Sequence, residues 1–165
     1  MNSSLSGKKI VIFGGSGFIG SHLVSRLCKE ACQIHIITRG PVVRKNFFFA
    51  NDPGQVNFEI IHSFDQENIN RKIEGCDIVY NLIGILAETK KNGFNFIHTQ
   101  IPEMIARAVK KNKVRNFIHL SALNVDKIKN SDYARSKYNG ELKIKEIFQN
   151  SVIVRPSVVF GRGDN

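Results

Sequence analysis

The run Ile10-Val11-Ile12-Phe13-Gly14-Gly15-Ser16-Gly17-Phe18-Ile19-Gly20 leaves the chain few ways to fold. Its apolar part has the length and β-branching of a strand buried in a parallel sheet, and Ser21-His22-Leu23-Val24-Ser25-Arg26-Leu27 follows at helical spacing. Between them Gly14, Gly17 and Gly20 recur every third residue. That spacing permits a tight turn, lets the backbone approach an anion without a Cβ in the way, and allows the new helix to press on the strand. The N–H groups and positive dipole end of that helix then face the anion. The pattern reads as a seat for a dinucleotide pyrophosphate, against the plainer alternative of an ordinary strand-to-helix turn.

Strand and helix patterns alternate along the rest of the chain. Strands are expected near 8–13, 33–38, 56–62, 77–83, 115–120 and 151–155, and helices near 17–31, 65–74, 97–113 and 132–149. Alternation of this kind implies right-handed crossovers and an α/β fold, a doubly wound parallel sheet of Rossmann type. Segment 40–55 holds Gly40-Pro41 and Asp52-Pro53-Gly54 and reads as loop, with Phe47-Phe48-Phe49 packing part of it down. At 165 residues and 42% hydrophobic content, residues 1–165 form one domain with a real core.

No apolar stretch is long enough to span a membrane, and with a strand expected by Lys8 no signal or transit peptide is expected. A cytoplasmic protein, at most peripheral to an inner membrane, is the expectation. Cys28 and Cys32 stand one helical turn apart and read as small helix residues; with Cys76 they fit a reducing compartment. His22, His35, His98 and His119 have no metal-ligand spacing, so no metal is expected. All four read first as packing or surface residues; His98 sits near the strand-end crevice, at the start of a long helix.

The net charge of +10 is densest at Arg107, Lys110, Lys111, Lys113 and Arg115. Such a run suits an anionic partner, or it is simply a solvated helix end. No nucleic-acid module and no interleaved aromatics accompany it, which argues against nucleic acid.

Ligands of a doubly wound sheet bind outside the carboxyl ends of its strands. The second strand ends Ile37-Thr38-Arg39-Gly40, with no acid to hold a ribose 2′-hydroxyl. Arg39 can instead pair with a 2′-phosphate, so NADP(H) is favoured, with NAD(H) as the alternative. The fourth strand ends Asn81-Leu82-Ile83-Gly84, where Gly84 lets backbone pass close to a cofactor. The fifth ends at Ser121, and twelve residues on come Tyr133 and Lys137, four apart on one helix face. A neighbouring ammonium would lower the tyrosine pKa toward that of a working acid or base, and Ser121 could hydrogen-bond a substrate carbonyl.

Together the glycine turn, the serine and the Tyr-x-x-x-Lys pair resemble the extended, epimerase-like branch of the short-chain dehydrogenase/reductase superfamily. More narrowly, Val79–Leu86, Tyr133–Lys137 and Val154–Gly161 resemble the NADPH-holding accessory subunits of respiratory complex I and their bacterial relatives. The resemblance covers essentially the whole chain. It implies the nucleotide-binding half of a longer fold, with the smaller substrate domain absent, truncated or encoded separately. It also implies a catalytic set of Ser121, Tyr133 and Lys137. The implied cofactor contacts are Gly14, Ser16, Gly17, Phe18, Ile19, Gly20, Arg39, Asp65, Leu82, Ile83, Gly84, Tyr133, Lys137, Pro156 and Val158.

Two positions depart from the superfamily pattern. Phe13 replaces a common threonine, and Asp65 follows the third strand late, where it would reach the adenine or simply cap the next helix. Two functions follow from the resemblance. One is an accessory protein that holds NADP(H) structurally and docks by a basic face onto respiratory-complex subunits or an anionic membrane surface. The other is an oxidoreductase or epimerase with Tyr133 as acid or base and Lys137 orienting the nicotinamide ribose.

Overall fold

The computed structural model describes residues 4–40, 52–90 and 93–164. The chain runs β1 (Lys9–Phe13), α1 (Phe18–Leu27), β2 (Gln33–Thr38), β3 (Val56–Ile60), α2 (Gln66–Ile73) and β4 (Ile78–Asn81). A π-helical turn (Phe96–Gln100) then leads into α3 (Ile101–Lys111), followed by β5 (Asn116–Leu120), α4 (Asp132–Ile147) and β6 (Val152–Val154). The strands form one parallel sheet in the order β3-β2-β1-β4-β5-β6. Strand order reverses between β1 and β4, and a crevice opens at such a switch point.

Side chains alternate across the strands, and each face buries its own apolar layer. Ile10, Ile12, Ile34, Ile36 and Ile78 pack with Val24 and Leu27 of α1 on one face. Val11, Phe13, Ile37, Val79 and Phe117 pack on the other with Ile69 and Ile73 of α2, Ile101 and Ile105 of α3, and Ile144 of α4. Polar side chains start two of these helices: Asp65 accepts the Asn68 N–H at 2.8 Å, and Ser131 accepts the Ala134 N–H at 3.2 Å.

The elements expected from the sequence are present, with shorter ends. The long helix expected from 97 begins instead as the π turn. A second correction concerns Cys32, which is not a helix residue: α1 ends at Leu27 with Cys28 as its cap. The chain bends there, and Cys32 turns into the α1-side core as the entry to β2. Burial raises the Cys28 thiol to about 11 and the Cys76 thiol to about 12, so both stay protonated. The expectation for Phe47–Phe49 lies outside the described residues.

Candidate functional site

The three glycines of the opening motif do different work. Gly14 has φ +80, and a Cβ there would stand 2.9 Å from the Leu82 carbonyl carbon and 3.0 Å from the Ile83 nitrogen. It lets the turn and the exit of β4 meet backbone to backbone, where the Leu82 N–H also donates to the Phe13 carbonyl at 2.8 Å. At Gly20 a Cβ would overlap the Gly14 carbonyl oxygen and lie 2.6 Å from Gly15 Cα, so this glycine seats the helix on the turn. Gly17 is different: a Cβ would touch only the Gly14 oxygen, at 3.4 Å. It caps α1 with no side-chain bond, and the helical ladder starts with Ser21 N–H donating to the Gly17 carbonyl at 2.9 Å. The amides of Phe18, Ile19 and Gly20 precede that ladder. Gly17 therefore leaves an open, donor-rich cradle at the head of the helix, with Ser16 on its rim, and this fits an anionic diphosphate.

Arg39 is exposed, two residues beyond Ile37, the register partner of Phe13. It thus stands at the same sheet edge as the glycine turn. Asp65 lies at the head of α2, where its carboxylate accepts from Asn68 and Ser63, and those bonds hold its pKa below the usual value. Pro156 accepts the Leu123 N–H at 2.9 Å, whereas the Val158 side chain is exposed. The same segment then returns to the cradle: His22 Nε2 meets the Arg162 carbonyl at 2.9 Å, and Phe18 flanks Gly161 and Gly163.

Ser121 stands at the end of β5, beyond β4 from the glycine turn, and Tyr133 and Lys137 stand on α4. Lys137 is buried and donates to the Leu120 carbonyl at 3.1 Å, one residue before Ser121. Its Nζ lies 3.3 Å from where a Cβ on Gly84 would project, so Gly84 leaves room for the ammonium. The Ser121 hydroxyl is buried with no partner among the described residues. Burial lowers the Lys137 pKa to about 8, with the Glu141 carboxylate pulling back upward.

Tyr133 corrects the sequence expectation. Its pKa is raised, not lowered, because burial of the phenol is the dominant influence. The ammonium is engaged with the Leu120 carbonyl, and helical spacing alone did not make it the tyrosine's partner.

Sequence reasoning gave His98 little weight, yet it stands at the centre of this cluster. It is buried, accepts the Ile85 N–H on Nε2 at 3.1 Å, and meets Ser136 Oγ through Nδ1 at 2.9 Å. Its ring stacks on Phe94 and meets Tyr133 edge-on at 5.2 Å between centroids. Burial and the Lys137 charge push its pKa down to about 4. His119 is buried too, with Nδ1 3.0 Å from Asn81 Nδ2, and burial lowers it to about 3.

An ionic chain closes the site from behind. Arg155 makes paired bonds to Glu141, including Nε to Oε1 at 3.0 Å, and reaches Asp126 at 3.0 Å. Glu141 sits four residues beyond Lys137, a continuation of the Tyr133/Lys137 face that could have been read from spacing. Among the described residues no group of potential metal ligands clusters, and no helix is long and apolar enough to cross a membrane.

Comparison with known proteins agrees with this fold. The model of the NAD dependent epimerase/dehydratase family matches residues 10–165. The chain is 35% identical over 163 residues to mouse (Mus musculus) mitochondrial NADH dehydrogenase (ubiquinone) 1 alpha subcomplex subunit 9, covering 98% of this chain and 43% of that protein. It is 34% identical over 165 residues to the mitochondrial NADH-ubiquinone oxidoreductase 40 kDa subunit of Neurospora crassa, again covering 98% and 43%. The chain thus spans less than half the length of these relatives. Among solved structures, the Bordetella bronchiseptica enzyme WbmH in complex with NAD+ superposes with a TM-score of 0.77 at 21% identity, covering 95% of this chain and 58% of that one. At that identity the likeness speaks for the fold.

Proposed function

The chain belongs to the NAD dependent epimerase/dehydratase family, and we propose that it binds NADP(H) and holds it as a structural ligand, as an accessory subunit. The observation that carries this reading is the open cradle at Gly17, bounded on both sides by glycines that the fold itself requires. Arg39 and the missing acid after β2 favour the 2′-phosphate form, since a guanidinium pairs with a phosphate that a carboxylate would repel.

When bound, the nicotinamide would supply hydride chemistry. The residues around it hold more than they activate. Lys137 is anchored to the Leu120 carbonyl, from where its remaining protons serve ribose hydroxyls, and Gly84 leaves the backbone space. Burial of the Tyr133 phenol raises its pKa, which disfavours the phenolate and with it a role as base. The names of the mouse and Neurospora relatives, both subunits of NADH dehydrogenases, favour the accessory role. The basic run ending α3, exposed at Lys110, Lys111, Lys113 and Arg115, is the face for an acidic partner such as a respiratory-complex subunit or an anionic membrane surface. It lies at the amino end of β5, opposite the crevice, so docking there leaves the cofactor side free. A working place peripheral to a membrane follows from that docking.

The second reading is a short-chain-type oxidoreductase or epimerase. It is favoured by the buried Ser121 hydroxyl, a group able to polarise a substrate oxygen, which has no partner among the described residues and follows directly on the Leu120 carbonyl that holds Lys137. The deciding experiment is calorimetric titration of the chain with NADPH and NADH, followed by an NADPH absorbance assay over sugar nucleotides and simple carbonyl compounds. Tight NADPH binding without turnover supports the structural role, and turnover abolished by Tyr133→Phe overturns it.

A further inference from the structure

We propose that His98 is the positioning residue of the nicotinamide-ribose half of this site, a neutral clamp that fixes the β4 exit against α4. The proposal rests on the dinucleotide-binding reading above.

Nε2 of His98 accepts from the Ile85 amide at 3.1 Å, so that nitrogen carries no proton. The ring proton is then on Nδ1, which donates to Ser136 Oγ at 2.9 Å, and Ser136 in turn donates to the Tyr133 carbonyl at 2.8 Å. Both ring nitrogens are satisfied in a residue only 1% exposed. Three separate segments are thereby joined: the loop of Gly84 and Ile85, the π turn, and the first turns of α4 between Tyr133 and Lys137.

The surroundings are shaped around this clamp. Phe94 covers one face of the ring and Tyr133 abuts it edge-on. Thr99, the next residue of the π turn, donates to the Ser136 carbonyl at 2.9 Å. On α4, Gly140 lets the helix lie against the His98 carbonyl, which a Cβ there would overlap. A π turn widens the helix by one residue per turn and is a recurrent device at functional sites. Here it turns the His98 side chain toward the crevice while Ile97 and Ile101 stay in the core. The clamp's bonds run to Ile85 and Ser136, whereas the glycine turn meets the β4 exit earlier, at Leu82 and Ile83, so the clamp acts first on the nicotinamide-ribose half.

The experiment compares ligands that fill both halves with one that fills only the cradle half. NADPH and 2′,5′-ADP are titrated into the wild-type chain and into His98→Leu, His98→Gln and Ser136→Ala, with thermal melts of each. His98→Leu is expected to weaken NADPH about tenfold, the equivalent of one or two lost hydrogen bonds, while 2′,5′-ADP binds as before. Glutamine can accept from Ile85 and donate to Ser136, so His98→Gln should recover most of the NADPH affinity. If the leucine variant does not fold, Ser136→Ala carries the test, with a several-fold loss for NADPH alone. Equal losses for both ligands, or no loss for NADPH in a folded variant, overturn the positioning role. A wild-type chain that binds neither ligand refutes the dinucleotide reading and this role with it.

Discussion

Replacing Gly17 with valine should weaken dinucleotide binding about a hundredfold and leave the fold nearly intact. The backbone at Gly17 has φ −78 and ψ −179, extended geometry that a β-branched residue adopts readily. The new Cβ meets one atom, the Gly14 oxygen at 3.4 Å, which is ordinary contact, and the methyls grow into the open cradle. Valine is a poorer N-cap than glycine, at a cost of about 1 kcal/mol, which is about 2–4 °C in Tm for a domain of this size. The loss in binding is larger. Two hydrogen bonds from backbone N–H groups to a charged phosphate, at about 1.5 kcal/mol each, make about 3 kcal/mol, or roughly a hundredfold in Kd. Gly20→Ala is the matched opposite, because its Cβ falls on the Gly14 carbonyl and within 2.6 Å of Gly15 Cα, neither of which can swing aside. It should lower stability by about 1–3 kcal/mol. Calorimetric melts and NADPH titrations of both variants make the comparison. The reasoning is refuted if Gly17→Val binds with unchanged affinity, or if it loses as much stability as Gly20→Ala.

Arg39→Asp should erase or reverse a preference for NADPH over NADH, a change of about tenfold or more in the ratio of affinities, since one charge-assisted contact is worth about 1.5–3 kcal/mol; equal ratios in parent and variant would remove Arg39 from the site. Acid should destabilise the protein well above the carboxylate range. His98 and His119 are held at about 4 and about 3 against an ordinary 6.5, so between those values the unfolded chain binds protons that the folded chain refuses, and stability falls as the pH drops through that window. Melts between about pH 7 and about pH 4.5 should show the decline, shallower in His98→Gln, and a flat profile would contradict the buried neutral rings. Last, NADPH mixed with sugar nucleotides or simple carbonyl compounds should show no turnover by the wild-type chain, and Tyr133→Phe should behave identically, as expected of a cofactor held structurally. Robust activity lost in that variant would make the protein an enzyme.

The sheet, its order of elements and the cradle at the head of α1 were legible in the chain because each depends on neighbours in sequence. A run such as Ile10–Phe13 declares a buried strand by composition, Gly14–Gly20 declares a turn by the absence of side chains, and Asp65 and Ser131 declare helix starts by what their oxygens can accept. Helical period likewise placed Tyr133 and Lys137 on one face, and that juxtaposition held. What the period could not supply was their electrostatics. The depth of burial that raises Tyr133 and lowers Lys137, and the Leu120 carbonyl that engages the ammonium, arrive from β5 across the fold. The same is true of His98, whose partners lie 13 residues before it at Ile85 and 38 after it at Ser136, and of Arg155 on Glu141, 14 residues away. Cys32 shows the limit in the other direction: its spacing from Cys28 is helical, but α1 ended first and the core took the side chain. Periodicity reports which face of an element a residue occupies, whereas charge, tautomer and proton position follow from the dielectric and donors that distant segments bring to that face, and only packing in three dimensions determines them.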